Sequence, residues 1–170
     1  ASVVQAHPSL MVMADEIYEY ILFDGKAASF GALPGMLERT ITVNGFSKGF
    51  AMTGWRLGYA AAPAPVAAAM ARMQSIISAG ANAFVQKAAV AALQGSRAEV
   101  QHMAETYRRR RDMLLTALRA MPGLQVADIP GTFYAFPDVS AFLGRSAGNR
   151  RVNTSAELCD YLLDEHGVAT

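Results

Sequence analysis

Lys48 stands in Asn44-Gly45-Phe46-Ser47-Lys48-Gly49-Phe50-Ala51-Met52-Thr53-Gly54-Trp55-Arg56-Leu57-Gly58, directly after the apolar run Thr40-Ile41-Thr42-Val43. That spacing sets an amine at the end of a strand, in a glycine-punctuated turn. The chain has 3 lysines, Lys26, Lys48 and Lys87, against 12 arginines, so a position that needed only positive charge would more often carry Arg. An amine does what a guanidinium does not: desolvated, or set beside another cation, it loses its proton and forms a Schiff base with a carbonyl. Arg56 is the candidate for that second cation. Upstream, Asp15 and Tyr18 lie in Ala14-Asp15-Glu16-Ile17-Tyr18-Glu19, at the close of another apolar run. Read alone, Asp15 favours a helix N-cap, and Tyr18 is as readily a core aromatic as a ligand-facing one.

A rival chemistry shares the same residues. Gly45-Phe46-Ser47-Lys48-Gly49 satisfies the G-x-S-x-G pattern of a serine hydrolase elbow, and Asp138 then His166 follow in the required order. An elbow must feed straight into a helix, whereas 50–58 carries two glycines before turning into a strand, which makes this a remote alternative. A phosphate-binding P-loop fails on order, since Lys48 precedes its glycine and is not followed by Ser or Thr. His7, His102 and His166 lack ligand spacing, so no metal site is proposed.

The elements that must position Lys48 follow from the pattern. The runs at 9–14 and 40–44 have the length and continuity of strands buried on two faces, which favours a parallel sheet and an α/β fold. A third strand returns over 56–62. Pro63 and Pro65 stop it and open a helix running to about Ser78. A further helix spans 82–94 and ends at Gly95, a residue suited to the C′ position. Ser96 with Glu99 reads as a capping box for a long helix that runs to Met121 and stops at Pro122-Gly123. Beyond it, 124–126 and 132–136 read as strands, and 155–166 as a helix capped by Thr154 with Glu157 and followed by the start of another strand. This second part is α+β, and the division falls at 1–97 and 98–170.

Composition narrows the classes. With 170 residues, 52% of them hydrophobic, the chain suits one good core or two small ones. A net charge of +1 gives no basic excess for nucleic acid. The run Arg108-Arg109-Arg110-Arg111 reads as the solvated face of a helix. The single Cys159 rules out an internal disulfide, sits at helical apolar spacing as a buried small hydrophobe, and makes a reducing cytoplasmic setting the default. No segment has the apolar length to span a bilayer, and neither a membrane nor a nucleic acid is expected as a partner.

Four blocks in order resemble the class I/II aminotransferases, the pyridoxal-phosphate enzymes of the aspartate aminotransferase type. They are Asp15 with Tyr18; Ser47-Lys48 followed by Gly54-Trp55-Arg56-Leu57-Gly58; Ile129-Pro130-Gly131-Thr132-Phe133-Tyr134-Ala135-Phe136-Pro137; and Leu162-Leu163-Asp164-Glu165-His166-Gly167-Val168-Ala169. The resemblance implies fold type I: 1–97 as the second half of the large cofactor-binding domain, then the connecting helix and a truncated small domain in 98–170. It implies pyridoxal 5'-phosphate as cofactor, with Lys48 as its Schiff-base and catalytic residue. Asp15 would face the pyridine nitrogen, Tyr18 the phenolic oxygen, and Ser47 and Arg56 the phosphate, while Gly54 and Gly58 allow close backbone approach. The reaction implied is ping-pong transfer of an amino group from an L-amino acid to a 2-oxo acid. Val43 to Lys48 and Ala51 to Arg56 look most like the aspartate or prephenate branch. Other fold-type-I enzymes, a C–S lyase or a synthase, and a non-catalytic regulator domain are the alternatives. Family members are usually homodimers. The resemblance also marks these residues as a fragment that is inactive alone, the ring-stacking aromatic lying before Ala1 and the arginine for the substrate carboxylate past Thr170.

Overall fold

In the computed structural model, which describes residues 1–148 and 150–170, the two apolar runs become parallel neighbours. Strand β1 (Val12–Asp15) pairs with β2 (Thr40–Gly45), with Asp15 opposite Val43. Strand β3 (Gly58–Ala61) returns antiparallel on the other side of β2, with Gly58 opposite Gly45. The sheet order is β1-β2-β3, so the sheet is mixed. Burial on both faces, expected from the apolar runs, holds only for parts of β2, where Thr40, Asn44 and Gly45 are buried. Met13 on β1 is 75% exposed, and β3 is exposed throughout. These outer strands have a ladder partner on one side only.

Contacts divide the chain into two units: Ala1–Tyr107 with Pro130–Thr132, and Arg108–Ile129 with Phe133–Thr170. The first holds the three-stranded sheet and a core that includes Ile21, Phe23, Met36 and Phe46. Its N-terminal helix α1 (Ser2–Ala6) is tied down by Arg39, whose guanidinium donates to the carbonyls of His7 at 2.7 Å, Val4 at 3.2 Å and Leu10 at 3.0 Å. Helix α2 (Ala64–Ile77) starts at Pro63 with Pro65 in its first turn, where the missing N–H is harmless. Helix α3 (Ala83–Gln94) is capped by Asn82, whose Oδ1 accepts from Phe84 N at 3.1 Å. Gly95 is its C-cap in an extended conformation (φ −73°), not the left-handed C′ residue expected. Helix α4 (Ala98–Arg119) is the long helix of the sequence reading. Ser96 Oγ accepts from Ala98 N at 3.1 Å, so the hydroxyl caps the first helical residue rather than Glu99.

The second unit departs most from expectation. The strands expected at 124–126 and 132–136 are absent; isolated antiparallel bridges join Gln125 to Asp138 and Leu22 to Gly131. Pro122, Pro130 and Pro137 cannot donate to a ladder, and Thr132 takes a left-handed φ of +67°. Side chains occupy other polar groups there: Arg111 Nη1 donates to Ile129 O at 2.8 Å and Arg119 Nη2 to Asp128 Oδ1 at 2.6 Å. Arg111 is therefore a half-buried tether, and of the four-arginine run only Arg109 and Arg110 are exposed. A hairpin of β4 (Arg145–Ala147) and β5 (Arg150–Val152), not anticipated from sequence, packs on α5 (Ser155–His166). Thr154 caps α5 as expected, its Oγ1 accepting from Glu157 N at 3.2 Å, while Glu157 Oε2 reaches one residue further back than the box requires and accepts from Asn153 N at 2.6 Å. Residues 167–170 are not in a strand. Gly167 (φ +66°) and Val168 turn their N–H groups back onto the carbonyls of Leu163 and Leu162, closing the helix with a left-handed cap. Cys159 on α5 is half-buried, not fully buried. Among the described residues no helix is long and apolar enough to cross a membrane.

Candidate active site

Parallel pairing sends β1 and β2 out of the sheet at the same edge, and the antiparallel β3 enters there. The residue ending β1 is Asp15, the loop leaving β2 carries Ser47 and Lys48, and the loop entering β3 carries Arg56. Asp15 from one segment is thus gathered with Ser47, Lys48 and Arg56 of the single β2–β3 connection at one sheet edge, outside the carboxyl ends of the parallel strands, where ligands of open α/β sheets bind. Tyr18 is half-buried in the turn at 17–20 that follows β1, on the same edge.

The position of Asp15 is set by the ladder. Asp15 pairs with Val43, and the next residue, Glu16, donates its N–H to Val43 O at 2.8 Å. The Asp15 carboxylate is exposed and accepts from Ile17 N at 3.2 Å. This is the contact of a cap, yet only turns follow over 17–20, so the helix that would justify a capping role is not there. Glu16 faces elsewhere, its Oε1 accepting from Phe30 N at 3.0 Å.

The loop between β2 and β3 is closed by its own backbone. Phe46 N donates to Leu57 O (3.2 Å), Met52 N to Phe46 O (3.1 Å) and Ala51 N to Lys48 O (3.2 Å), while Thr53 Oγ1 donates to Ser47 O at 3.0 Å. Lys48 and Ser47 are half-buried in this turn. No helix follows Ser47, only turns and a 3-10 turn at Thr53–Trp55, so the elbow geometry of a serine hydrolase is missing. Arg56 is exposed and left-handed (φ +54°), a conformation that costs a non-glycine residue about 1–2 kcal/mol. Its Nη1 donates to Thr53 O at 2.9 Å, which leaves other donors of the fork for a ligand. Strain of this kind collects where function fixes the backbone.

The two glycines expected to admit a phosphate differ. A Cβ on Gly54 would meet nothing within 4 Å, so that backbone is open to a ligand; one on Gly58 would lie 3.1 Å from Asn44 O, so Gly58 serves the strand pairing. Asn44, which the sequence reading passed over, is buried, with Oδ1 accepting from Gly45 N at 2.7 Å. Its signal was available: an amide closing an apolar run needs an internal partner. Arg56 also lines an open cleft of about 760 Å³ with Trp55, Gln74, Ser78 and Asn82. Of the five candidate residues only Arg56 borders it, so the strand ends, not the cleft, define the site.

An amine, a carboxylate, a phenol, a hydroxyl and a guanidinium at one edge match in kind the aldehyde, pyridine nitrogen, phenolic oxygen and phosphate of pyridoxal phosphate, and Gly54 leaves room beside them. The donor set fits that cofactor.

Comparison with known proteins points the same way. The sequence pattern of "Aminotransferase class I and II" matches residues 1–170. An aspartate aminotransferase of Pinus pinaster is 49% identical over 99% of this chain, which covers 35% of that protein. A bifunctional aspartate aminotransferase and glutamate/aspartate-prephenate aminotransferase of Petunia hybrida is 46% identical over 99% of the chain and 36% of its own length. Among solved structures, the aspartate aminotransferase from Rhizobium meliloti superposes with a TM-score of 0.93 at 37% identity, covering 99% of this chain and 43% of that one. The chain therefore spans well under half the length of these relatives. Residues 1–170 belong to the class I and II aminotransferases, enzymes of fold type I whose cofactor is pyridoxal 5'-phosphate.

Proposed function

We propose that the full-length protein is a transaminase that moves an amino group from an L-amino acid, an aspartate-like or prephenate-pathway donor, to a 2-oxo acid by a ping-pong route. The observation that carries this reading is the placing of Lys48, Asp15 and Arg56 at one edge of one sheet. The relatives named for aspartate and prephenate support the donor class. Residues 1–97 belong on this reading to the large domain and 98–170 to the connecting helix and small domain. The protein acts as a cytoplasmic homodimer, and these 170 residues alone lack turnover.

Pyridoxal phosphate, when bound, delocalises the electron pair left as an amino acid loses its α-proton. The chain's own residues supply the rest. Lys48 would hold the cofactor covalently through Nζ and, as a free amine, would carry the substrate α-proton from one carbon to the other, a task open to an amine and closed to a guanidinium. Asp15 holds a proton at the pyridine nitrogen, because an adjacent carboxylate favours the cationic ring. Tyr18 hydrogen-bonds the phenolic oxygen. Ser47 and Arg56 bind the phosphate, Arg56 through the planar fork that suits it.

The reaction class is tested by initial rates with L-aspartate and a 2-oxo acid on the full-length, cofactor-loaded protein. Parallel double-reciprocal lines, with an L-amino acid formed from the 2-oxo acid, are expected. Release of a sulfur leaving group or ammonia without an amino acceptor would replace the transaminase by the lyase reading. A protein that binds the cofactor and turns nothing over would support the regulator.

Arg56 is expected to act on cofactor retention. Truncating one partner of a desolvated guanidinium–phosphate pair costs about 2–5 kcal/mol, so Arg56→Ala should weaken retention at least tenfold, measured by equilibrium dialysis. Arg56→Gly separates ligand from strain: it relieves the left-handed backbone, so the cofactor-free protein should melt no lower than wild type while retention still falls. Retention equal to wild type in both variants would make Arg56 structural.

A further inference from the structure

Four aromatic rings gather about the Lys48 turn. Buried Phe46 lies 5.4 Å from Phe50 and 6.0 Å from Tyr59 between ring centroids, and Tyr20 meets Phe50 edge-on at 5.3 Å. Arg97, just ahead of α4, closes this cluster. Its Cζ lies 5.0 Å from the centroid of Tyr20 and 5.2 Å from that of Phe50. Its Nη1 is buried and, among the described residues, has no hydrogen-bond partner. A buried guanidinium nitrogen without an acceptor destabilises the fold, and attraction to two ring faces is what offsets it here. The charge reaches further: burial first, then Glu19 and Tyr20, raise the Tyr59 hydroxyl above its ordinary 10.0, and Arg97 opposes them.

Gly49 shows what this cluster does for the lysine. A Cβ on Gly49 would stand 2.5 Å from Tyr20 Cδ2 and 3.2 Å from its Cβ and Cγ. The residue after Lys48 is therefore pressed against one ring that Arg97 covers, and the residue after that, Phe50, is the other. Ala51 follows with φ +53°, a conformation that a side chain bearing Cβ keeps only where its surroundings enforce it. The turn is closed by Ala51 N donating to Lys48 O at 3.2 Å.

We propose that Arg97 is a positioning residue for Lys48: by clamping Tyr20 and Phe50 it holds the turn 48–51, and with it the amine, in one orientation. The inference rests on the reading of Lys48 as the cofactor-holding amine. A lysine side chain is flexible, so its direction depends on the backbone that carries it and on what fixes that backbone.

The test uses the full-length protein loaded with pyridoxal phosphate and two readouts besides turnover: the rate of borohydride trapping at Lys48, and the induced circular dichroism of the bound cofactor per cofactor retained. Arg97→Met keeps an unbranched stem and removes the charge. Its trapping rate should fall roughly tenfold or more, since small misplacements of a reacting group have effects of this size, and its induced dichroism should shrink. Arg97→Lys keeps a cation over the rings and should return to within roughly threefold of wild type. Wild-type trapping and dichroism in Arg97→Met overturn the proposal, and so does a lowered melting temperature with both readouts unchanged. Arg97→Lys no better than Arg97→Met also overturns it, by assigning the effect to packing. Should Arg97→Met fail to fold, Gly49→Ala probes the same contact, because its Cβ displaces Tyr20 from the turn; trapping slowed by roughly tenfold is expected, and a wild-type rate is the contrary result. Failure of the wild-type protein to form any Lys48 adduct would remove the functional reading itself, not the clamp alone.

Discussion

Replacing Lys48 by Ala in the full-length protein should abolish amino-group transfer while leaving part of the cofactor bound. On the proposed reading, the variant would lose the covalent anchor and the proton carrier together. Proton transfer by a positioned base is by itself worth on the order of 10²–10⁴ in rate, and splitting a hard step through a covalent link adds to that. On the proposed reading, phosphate contacts from Ser47 and Arg56 would not pass through Nζ, so dialysis should still find cofactor on the variant, more weakly held. Lys48→Arg sharpens the point. It preserves positive charge at the end of β2 and removes the amine, so it should be as inactive as Lys48→Ala. Turnover close to wild type in Lys48→Arg would mean that charge alone is required and that the Schiff-base role is wrong. The chain's preference for arginine elsewhere, 12 against 3 lysines, makes that comparison a fair one.

Asp15→Asn should slow the chemical step by several orders of magnitude with folding nearly intact. A carboxylate beside the pyridine nitrogen keeps the ring cationic, and its benefit grows as negative charge enters the ring, so the interaction is stronger in the transition state than in the ground state. The loss should therefore appear in kcat. The competing role is local: Asp15 Oδ1 accepts from Ile17 N at 3.2 Å. Asn preserves an oxygen for that contact and caps about as well as Asp. A purely local role thus predicts unchanged turnover in Asp15→Asn, and about 0.5–2 kcal/mol of lost stability in Asp15→Ala. The structure already weakens this competitor, since residues 17–20 form turns instead of a helix. Stopped-flow measurement of α-proton loss, using α-deuterated substrate, isolates the step.

Much of this arrangement could be read from residue types because it depends on short-range patterns. The end of β2 is announced by Thr40-Ile41-Thr42-Val43 giving way to Asn44-Gly45, and the observed strand ends there. Thr154 at the start of α5, and proline opening α2, were legible for the same reason: each supplies or removes a specific local hydrogen bond. Lys48 and Arg56 share one loop, but what brings Asp15 to the same edge is not local. It depends on β1 pairing parallel to β2, which the two continuous apolar runs favoured without fixing the register.

The misses have equally particular causes. Residues 124–126 and 132–136 look like strands by composition, yet Pro130, Pro137 and the left-handed Thr132 deny them a continuous ladder, while Arg111 and Arg119 reach in from α4 and take up polar groups nearby. The turn at Gly167 ends α5 as its left-handed cap. The β4–β5 hairpin escaped notice because its strands are three residues each, too short for alternation to register. Arg97 and Tyr20 carry no motif at all. Their relation to Lys48 exists only through contacts made across 49 and 28 residues of sequence, counted as 97 − 48 and 48 − 20.

The central claim is that one amine, Lys48, holds the cofactor. Reducing the full-length, cofactor-loaded protein with borohydride and mapping the modified peptide by mass spectrometry tests it most directly. The adduct should fall on Lys48, within Asn44-Gly45-Phe46-Ser47-Lys48-Gly49. An adduct on Lys26 or Lys87, or labelling of Ser47 by a fluorophosphonate in place of any lysine adduct, would contradict it.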